Sequence, residues 1–547
     1  MAVAFTEEMG SEMTMLLPDG VSESALLGAH AAFAELLGAD RVLTEAAELA
    51  EFRDPFEPAK WELFVPSIVL MPVSVEEVQG IVRIANQFRV PLWTHGQGRN
   101  NAYGGAAPRV KGAVTISLRN MNRVLEINEQ LGYAVVEPGT TWLQLYEAIQ
   151  AGGHELMMSC TDLGWGSVVG NALDHGLTYT PYGQDFMMAC GMEVVLGDGD
   201  LLRTGMGAMP DNPAWHLYKR GLGPTLDQLF MQSNFGIVTR MGVWLLPMPD
   251  TFRAVWIRVW KEDDVVALID TLRVLRLDRT IEGVPVLYNT LLAAAGATKR
   301  SQWYDGDGPI PDEIIDRIGR ELGTGRFTLR CGLFGDETVV DYNYEKVKRA
   351  FERIAGADVW STKCAGVDIP KLENFSELVA GGVPNLAANH QTFWYSEEHG
   401  GHIGASPVVP LTGEHFYRVH KLLRKTIEEE AGLDHMVGVP IINARSLIFI
   451  GDITYDVGDE EQARRAYDAA KLMVGRAADA GYGEYRAHLD TMDLTQATYS
   501  FNDGAYLRFV EKIKDAVDPN GVLSPGKQGI WPRHMRAAAK AALAAEG

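Results

Sequence analysis

The spacing of apolar residues along the chain predicts short strands and amphipathic helices in alternation. Ser74 and Glu77 have capping-box spacing, and apolar residues then recur at helical spacing, which predicts a helix that ends near Pro91. Runs of β-branched and apolar residues predict strands at 90–94, 113–118, 133–137, 192–196 and 237–246. A further helix is predicted to begin near Thr141. This order indicates an α+β or α/β fold rather than an all-helical one.

The pattern changes after Pro247 and Pro249. From there, strand-like runs are each followed by a helix-like run, at 255–260 with 264–275, 327–334 with 338–355, and 447–455 with 460–480. We therefore predict a domain boundary at 245–252. The alanine-rich residues 535–546 predict a terminal helix that frays or docks on a partner.

Composition and charge narrow the classes of function. The chain has 547 residues, 46% hydrophobic and 22% charged, which suits about two to four domains with a sizeable core. Lys and Arg total 49 and Asp and Glu total 72, so the net charge is −23. This charge disfavours nucleic acids and anionic membranes as partners, because both are bound through clustered cations.

The cysteines and the N-terminal residues indicate a soluble cytoplasmic protein. The 4 cysteines are widely spaced without a CxxC pair, so neither a disulfide framework nor a metal site is expected. Residues 1–40 contain no Lys or Arg, which a signal peptide would need. No apolar run is long enough to span a bilayer.

Two glycine-rich stretches are the first candidates for ligand binding. The stretch HGQGRNNAYGG at 95–105 follows a predicted strand and exposes backbone N–H groups, with Arg99 adding positive charge. Such a nest suits a pyrophosphate, although a tight structural turn would use the same glycines. Its spacing is neither GxGxxG nor that of a P-loop. The stretch at 162–183 suggests backbone wrapped around a planar group.

Several motifs together resemble a family of flavin enzymes. The motifs are GRNNAYGG, PGTTW, DLGWGSVVGNALDHGLTYTPYG, GMEVVLGDGDLLRTGMG, NFGIVT, GYGEYR and DPNGVLSPGKQGIWP. Their order resembles the vanillyl-alcohol oxidase and para-cresol methylhydroxylase superfamily of FAD enzymes, over about residues 50–533. The resemblance is strongest to the branch of vanillyl-alcohol oxidase and eugenol oxidase.

This resemblance implies an α+β fold with a two-part FAD-binding domain and a central α+β cap domain. Residues 1–248 and 496–547 are expected to form the FAD-binding domain, and 249–495 the cap. The residues expected to bind FAD are Gly96, Gln97, Gly98, Arg99, Asn100, Asn101, Ser167, Gly170, Asn171, Tyr182, Gly183, Gly236, Ile237 and Lys527.

Tyr485 and Arg486 place a phenol donor beside a permanent cation, a pair that can hold an oxyanion. Taken alone, such residues are more often surface or packing residues. The resemblance groups them with Tyr103 in a catalytic site that binds the substrate as a phenolate. Electron density from the deprotonated oxygen would then allow hydride to leave the benzylic carbon and form a quinone methide.

Asp162 opens the second glycine-rich stretch. A carboxylate among Gly, Ser and apolar residues can have a shifted pKa and act in acid–base chemistry, although a carboxylate that caps a loop has the same signature. The resemblance implies that Asp162 is catalytic, near flavin N5.

His402 lies in GGHIGASP, a segment that resembles the one carrying the covalent histidyl link to the flavin 8α-methyl group in the oxidase branch. The methylhydroxylase branch uses a tyrosine for this link. His399, His95 and His175 are alternatives that rank lower. Gly404 and Ser406 are expected to line the substrate pocket, with the small Gly404 leaving room for a bulky substituent.

The resulting hypothesis is a covalent-FAD oxidase of para-substituted phenols, including 4-hydroxybenzyl alcohols and 4-alkyl- or 4-allylphenols such as vanillyl alcohol or eugenol. It would reduce O₂ to hydrogen peroxide. The alternative is a 4-alkylphenol dehydrogenase that passes electrons to a cytochrome or another acceptor. A non-catalytic flavin-binding protein is disfavoured because Tyr103, Asp162, Tyr485 and Arg486 are all present. A homodimer or larger homo-oligomer is the family expectation.

Overall fold

The computed structural model describes residues 15–183 and 185–546. The strands are β1 (Val42–Leu43), β2 (Ile68–Leu70), β3 (Leu92–His95), β4 (Val114–Ser117), β5 (Val124–Asn128), β6 (Tyr133–Val136), β7 (Leu156–Met157), β8 (Ala189–Leu196), β9 (Leu201–Arg203), β10 (Gly236–Trp244), β11 (Leu246–Pro247), β12 (Thr251–Val259), β13 (Val286–Asn289), β14 (Phe327–Gly335), β15 (Asp358–Ala365), β16 (Gly400–Ala405), β17 (Val408–Pro410), β18 (Met436–Pro440), β19 (Ser446–Ile448) and β20 (Ile450–Asp456).

The helices are α1 (Glu23–Leu37), α2 (Ala46–Leu49), α3 (Val75–Phe88), α4 (Trp142–Ala151), α5 (Val168–Leu173), α6 (Asp185–Met188), α7 (Asp264–Leu277), α8 (Thr290–Ala295), α9 (Asp312–Leu322), α10 (Glu337–Phe351), α11 (Phe375–Ala380), α12 (Gly413–Thr426), α13 (Glu460–Asp479), α14 (Met492–Thr498), α15 (Phe501–Val517) and α16 (Arg536–Glu546).

A four-stranded sheet in the order β1-β2-β4-β3 forms the first layer, and α1 and α3 contribute to its hydrophobic core. β2, β4 and β3 are parallel to one another. β3 ends at His95, where the first glycine-rich loop begins. Helix α3 begins where predicted, because the Ser74 hydroxyl accepts the N–H of Glu77 at 3.2 Å. The Glu77 side chain makes a two-pronged ion pair with Arg41.

A five-stranded antiparallel sheet in the order β5-β6-β10-β8-β9 forms the second layer. Helix α4 contributes to its core and begins with a complete capping box between Thr141 and Gln144. The C-terminal segment returns to the first layer, where the N–H of Leu92 donates to Val522 O at 2.7 Å. Both ends of the chain therefore build one region.

A seven-stranded antiparallel sheet in the order β15-β12-β14-β13-β18-β20-β16 forms the middle of the chain. Helices α7, α10, α12 and α13 share one large hydrophobic core with it. This sheet begins at Thr251, within the interval 245–252 in which the sequence predicts a domain boundary. The domain limits 1–248, 249–495 and 496–547 remain a prediction.

Most predicted elements occur within a few residues of their predicted positions, including α16 in the alanine-rich tail. In the part of the chain that the structure describes, no helix has both the length and the apolar character needed to cross a membrane.

Candidate active site

A cavity of about 420 Å³ lies where the glycine-rich loops meet the middle sheet. Most of the residues predicted for the site line it, and these are Gly96, Gln97, Gly98, Arg99, Asn100, Asn101, Tyr103, Asp162, Ser167, Gly170, Asn171, Gly236, Ile237, His402, Tyr485, Arg486 and Lys527. They come from distant parts of the chain. The fold therefore brings the two glycine-rich loops, the NFGIVT strand, the cap histidine and the C-terminal SPGKQG loop to one place.

The first glycine-rich loop needs its glycines for backbone reasons. Gly98, Gly104 and Gly105 have φ of 65°, 98° and 59°, a region that residues with a Cβ rarely adopt. A Cβ on Gly96 would lie 2.6 Å from Pro138 O and 2.7 Å from Ser167 Oγ. The loop is therefore pressed closely against the second glycine-rich stretch.

The positive charge that Arg99 adds beside the loop has a carboxylate as a neighbour. Its side chain lies on the cavity wall but is 39% exposed, and it reaches toward Glu51 at 3.5 Å. Its guanidinium carbon is 5.7 Å from the Trp165 ring centroid. The positive charge beside the loop is thus shared with a carboxylate.

The cavity wall fits FAD, because it carries buried polar atoms that a bound ligand could satisfy. Trp165 Nε1, Asn171 Nδ2 and Ser233 Oγ are buried and have no hydrogen-bond partner among residues 15–183 and 185–546. Buried polar atoms normally have partners, so these atoms suit a polar ligand. Together with the open backbone of the glycine loop, they match a large group that carries both an anionic linker and heteroaromatic rings.

Tyr103, Tyr485 and Arg486 meet at one end of the cavity. The Arg486 guanidinium carbon lies 4.9 Å from the Tyr103 ring centroid and 5.0 Å from that of Tyr485. Arg486 Nε donates to Asp174 O at 2.8 Å and Nη1 to Asn100 Oδ1 at 3.2 Å. The Arg486 guanidinium thus lies over both tyrosine rings, and a cation beside two phenol groups can hold an oxyanion.

Asp174, which the sequence analysis did not select, stabilises this end. It forms an ion pair with Lys527 at 3.1 Å. Burial alone would raise the pKa of Asp174, but the charges of Lys527 and Arg486 hold it below its usual value. Asp174 thereby binds Lys527 through its side chain and orients Arg486 through its backbone carbonyl.

Asp162 lines the cavity and accepts a hydrogen bond from the Tyr179 hydroxyl. Burial raises the pKa of Asp162, and the nearby Arg330 charge and the Tyr179 hydrogen bond oppose that rise. Arg330 is 0% exposed, and its guanidinium carbon is 4.7 Å from the Tyr179 ring centroid and 5.9 Å from that of Tyr288. Asp162 thus has Tyr179 as a hydrogen-bond partner and the charge of Arg330 nearby.

The sequence analysis missed Tyr179, Tyr288 and Arg330. Tyr179 lies in the quoted DLG…TPYG stretch, which was its only sequence signal. Tyr288 is on β13 and Arg330 on β14, and the two strands pair in the middle sheet. Their meeting with Asp162 depends on tertiary structure.

His402 lies on β16 and lines the cavity. Its ring meets the Phe56 ring edge-on at 5.1 Å, and Nδ1 is 3.9 Å from Oδ1 of Asp452. Burial lowers the pKa of His402 to about 4, so its imidazole is neutral at physiological pH. Asp452, a further cavity residue that the sequence analysis missed, has its pKa raised to about 7 by burial.

Of the three alternative histidines, one lines the cavity. The side chain of His399 is 62% exposed. His95 does line the cavity, at the start of the first glycine-rich loop, where its Nδ1 is 3.2 Å from Gly96 O. His175 is not among the lining residues and has a φ of 52°.

Four predicted residues do not line the cavity. Tyr182 packs at 6.1 Å from the Trp244 ring, and Gly183 accepts the N–H of Thr178. Ser406 lies behind the wall, with its hydroxyl 3.0 Å from that of Tyr103.

The predicted room beside Gly404 is absent. A Cβ at Gly404 would lie 2.0 Å from Gly451 O on the paired strand β20. The residue is small because two strands approach closely there, not because the cavity extends to it.

Two family models match the chain. Residues 66–205 match the FAD binding domain, and residues 411–528 match the C-terminal domain of FAD linked oxidases. Over 525 residues the chain is 35% identical to the flavoprotein subunit of 4-cresol dehydrogenase (hydroxylating) from Pseudomonas putida, covering 95% of this chain and 99% of that protein.

Solved structures resemble the chain over almost its full length. The 4-ethylphenol oxidase from Gulosibacter chungangensis, in complex with isoeugenol, has a TM-score of 0.91 and 38% identity, covering 95% of this chain and 100% of that one. A substrate-bound p-cresol methylhydroxylase has a TM-score of 0.89 and 34% identity, covering 94% and 99%.

Proposed function

Because the chain belongs to the vanillyl-alcohol oxidase and para-cresol methylhydroxylase family of FAD-dependent oxidoreductases, we propose that it oxidises para-substituted phenols at the benzylic carbon and uses O₂ as acceptor. The family is that of phenol-oxidising flavoproteins. The observation that carries the proposal is the meeting of Tyr103, Tyr485 and Arg486 at one end of a cavity that also holds Asp162 and His402.

The Tyr103 end is the proposed site for the phenol oxygen. Two hydroxyls and a guanidinium held by Asp174 O and Asn100 Oδ1 favour the deprotonated substrate, because hydrogen bonds to a charged acceptor are the stronger ones. A phenolate pushes electron density through the ring toward the para substituent, so that hydride can leave from its benzylic carbon and a quinone methide forms. When bound, FAD supplies the hydride acceptor.

Asp162 is the proposed acid–base group at the other end of the substrate. The hydroxyl of Tyr179 and the charge of Arg330 orient its carboxylate and moderate its pKa. It would stabilise the developing charge during oxidation and then help water to add to the quinone methide, which yields an alcohol. Half-buried Tyr288 and buried Leu292 on the cavity wall limit the access of other water.

Oxygen as acceptor is supported by the 38% identity to a 4-ethylphenol oxidase over 95% of the chain. The second candidate is electron transfer to another acceptor, which the 35% identity to 4-cresol dehydrogenase favours. The substrates proposed are 4-alkylphenols first, with 4-hydroxybenzyl alcohols and 4-allylphenols such as vanillyl alcohol and eugenol after them.

The test compares substrates and acceptors on purified holoenzyme. With a 4-alkylphenol as substrate, we expect O₂ to be consumed and hydrogen peroxide to be released in equal amounts. The methyl ether of that phenol should be inert because its oxygen cannot ionise. Comparable rates for the phenol and its methyl ether would contradict the anion site. Turnover only with an artificial electron acceptor would favour the dehydrogenase instead.

We further propose that His402 is the covalent anchor of FAD. Its place on the cavity wall and its neutral imidazole suit a residue that would hold FAD through a covalent link to the 8α position. His402→Ala should retain its fold and release its FAD on acid precipitation, as seen by absorbance of the supernatant. Flavin that stays with the acid-precipitated variant would move the anchor to His95, which also lines the cavity.

A further inference from the structure

Glu484 immediately precedes Tyr485 and Arg486, yet its side chain is 7% exposed and does not line the cavity. Its Oε2 accepts a hydrogen bond from the backbone N–H of Ser406. Its Oε1 is buried and has no hydrogen-bond partner in the described ranges 15–183 and 185–546. A buried carboxyl with one oxygen left over is costly, so its position calls for a reason.

Ser406 connects this carboxyl to the tyrosines of the site. Its hydroxyl lies 3.0 Å from the Tyr103 hydroxyl, and its carbonyl accepts the N–H of Tyr485 at 3.0 Å. The next pair of hydrogen-bonded residues, Val408 and Gly483, extends this short antiparallel contact at 2.8 Å. Glu484 thus holds a residue that touches Tyr103 and also fixes the backbone of Tyr485.

Among the residues that the structure describes, no cation compensates the charge of Glu484. Burial raises the pKa of Glu484 to about 8. Burial also raises the pKa of Tyr103, an effect that Arg486 opposes and that Asp452 and Glu484 reinforce. On the other side, burial and then the Glu484 charge raise the pKa of Tyr499.

We propose that Glu484 is a positioning residue that acts in its protonated form, fixing Ser406 and through it the Tyr103 hydroxyl so that this end of the cavity accepts a phenolate. The inference rests on the proposed function, since it concerns the same anion site. An ionised Glu484 would place a second negative charge behind the tyrosines that hold the substrate oxygen. Like charges oppose each other strongly away from solvent.

The sign of the pH effect follows from this arrangement. Below the pKa of Glu484 the carboxyl is neutral and leaves phenolate binding unopposed. Above it, the free protein carries the carboxylate, and binding of an anion must either bear the repulsion or first reprotonate Glu484. Affinity for a phenolic ligand should therefore be penalised in alkaline solution.

Glu484→Gln tests this in the holoenzyme, because the amide has nearly the same shape and stays neutral at every pH. The probe is 4-bromophenol, which has no benzylic hydrogen and does not react, and its binding is followed by the change in flavin absorbance. At about pH 6.5 the two proteins should bind it within about twofold of each other. At about pH 9.5 the variant should bind it at least about tenfold more tightly than the unmodified protein. Comparing the two proteins at each pH cancels the ionisation of the ligand itself.

Glu428→Gln is the matched control. Glu428 is a half-buried carboxyl whose pKa is also raised by burial, but it is bonded to Arg424 at 2.8 Å and does not line the main cavity. This variant should show the pH profile of the unmodified protein. Equal affinities of the Glu484→Gln and unmodified proteins at both pH values would overturn the inference while leaving the phenol site in place.

Ser406→Ala is the second variant, and it keeps the backbone N–H that Glu484 binds. Loss of its hydroxyl should weaken 4-bromophenol binding about tenfold at both pH values, since Tyr103 loses its anchor. Unchanged binding in this variant would show that Ser406 does not transmit the effect. Failure of 4-bromophenol to bind the unmodified protein would instead refute the proposed function.

Discussion

Asp162 is the residue whose role can be separated most cleanly from substrate binding. Its partners are Tyr179 and Arg330, whereas Tyr103 interacts with Ser406 and Arg486. Asp162→Ala should therefore slow anaerobic flavin reduction by a substrate phenol by about a hundredfold or more, because the group acts on the transition state. Stopped-flow absorbance of the flavin measures this rate.

Binding of 4-bromophenol should change much less in the same variant, since the anion site is intact. Tyr179→Phe is the control: it keeps the Asp162 carboxylate but removes its hydrogen bond, so a smaller loss is expected. Flavin content must be equal in the proteins compared. Near-normal flavin reduction in fully loaded Asp162→Ala would assign this carboxylate a structural role instead.

At this scale, the sequence revealed the residues that lie in recognisable motifs and missed those that meet them in space. Tyr103, Asp162, His402, Tyr485 and Arg486 all line the cavity. Arg330 and Asp452 lie on other strands, and nothing in their local sequence marks them. Their importance comes from burial and from neighbours that only the folded chain supplies.

At the scale of elements, local signals predicted positions well and side-chain partners less well. The start of α3 follows its Ser74 cap, and the Glu77 carboxylate accepts the backbone N–H of Val73 at 2.7 Å. The same carboxylate also pairs with Arg41, a residue 36 positions earlier. This long-range ion pair is added to the local contact, and helix spacing carries no information about it.

Strands β16 and β20 show a second limit of local sequence signals. A glycine at position 404 suggests space for a substrate, but the Gly451 carbonyl occupies that space. A glycine in a strand can serve either purpose. The choice depends on the register of β16 against β20, in which Gly404 faces Asp452 and Ala405 faces Gly451.

At the scale of the whole molecule, the expected α+β fold with a two-part FAD-binding domain is confirmed by the near full-length match to the p-cresol methylhydroxylase and 4-ethylphenol oxidase structures. The two parts are joined by buried polar contacts as well as apolar ones. Asn234, just before β10, donates through Nδ2 to Ser524 O at 3.0 Å and to Ile530 O at 2.9 Å.

Lys514 makes three further buried polar contacts at this junction. Its side chain is 0% exposed, and Nζ donates to Asn234 O and Leu523 O, both at 2.7 Å, and pairs with Asp518 at 2.7 Å. The ammonium on α15 thereby links the residue before β10 to the C-terminal loop. Because Asn234 also lines the cavity, the link holds part of its wall in place.

Lys514→Met should destabilise the protein by about 3–5 kcal/mol, since it leaves the carboxylate of Asp518 buried without its cation. The expected result is a lower midpoint of thermal unfolding together with a smaller fraction of bound FAD, measured by circular dichroism and flavin absorbance. Lys512→Met is the matched control, because Lys512 lies on the same helix but is exposed, and it should leave both quantities unchanged. If Lys514→Met unfolds at the same temperature as this control, the buried Lys514 ammonium does not stabilise the junction between the two halves of the FAD-binding domain.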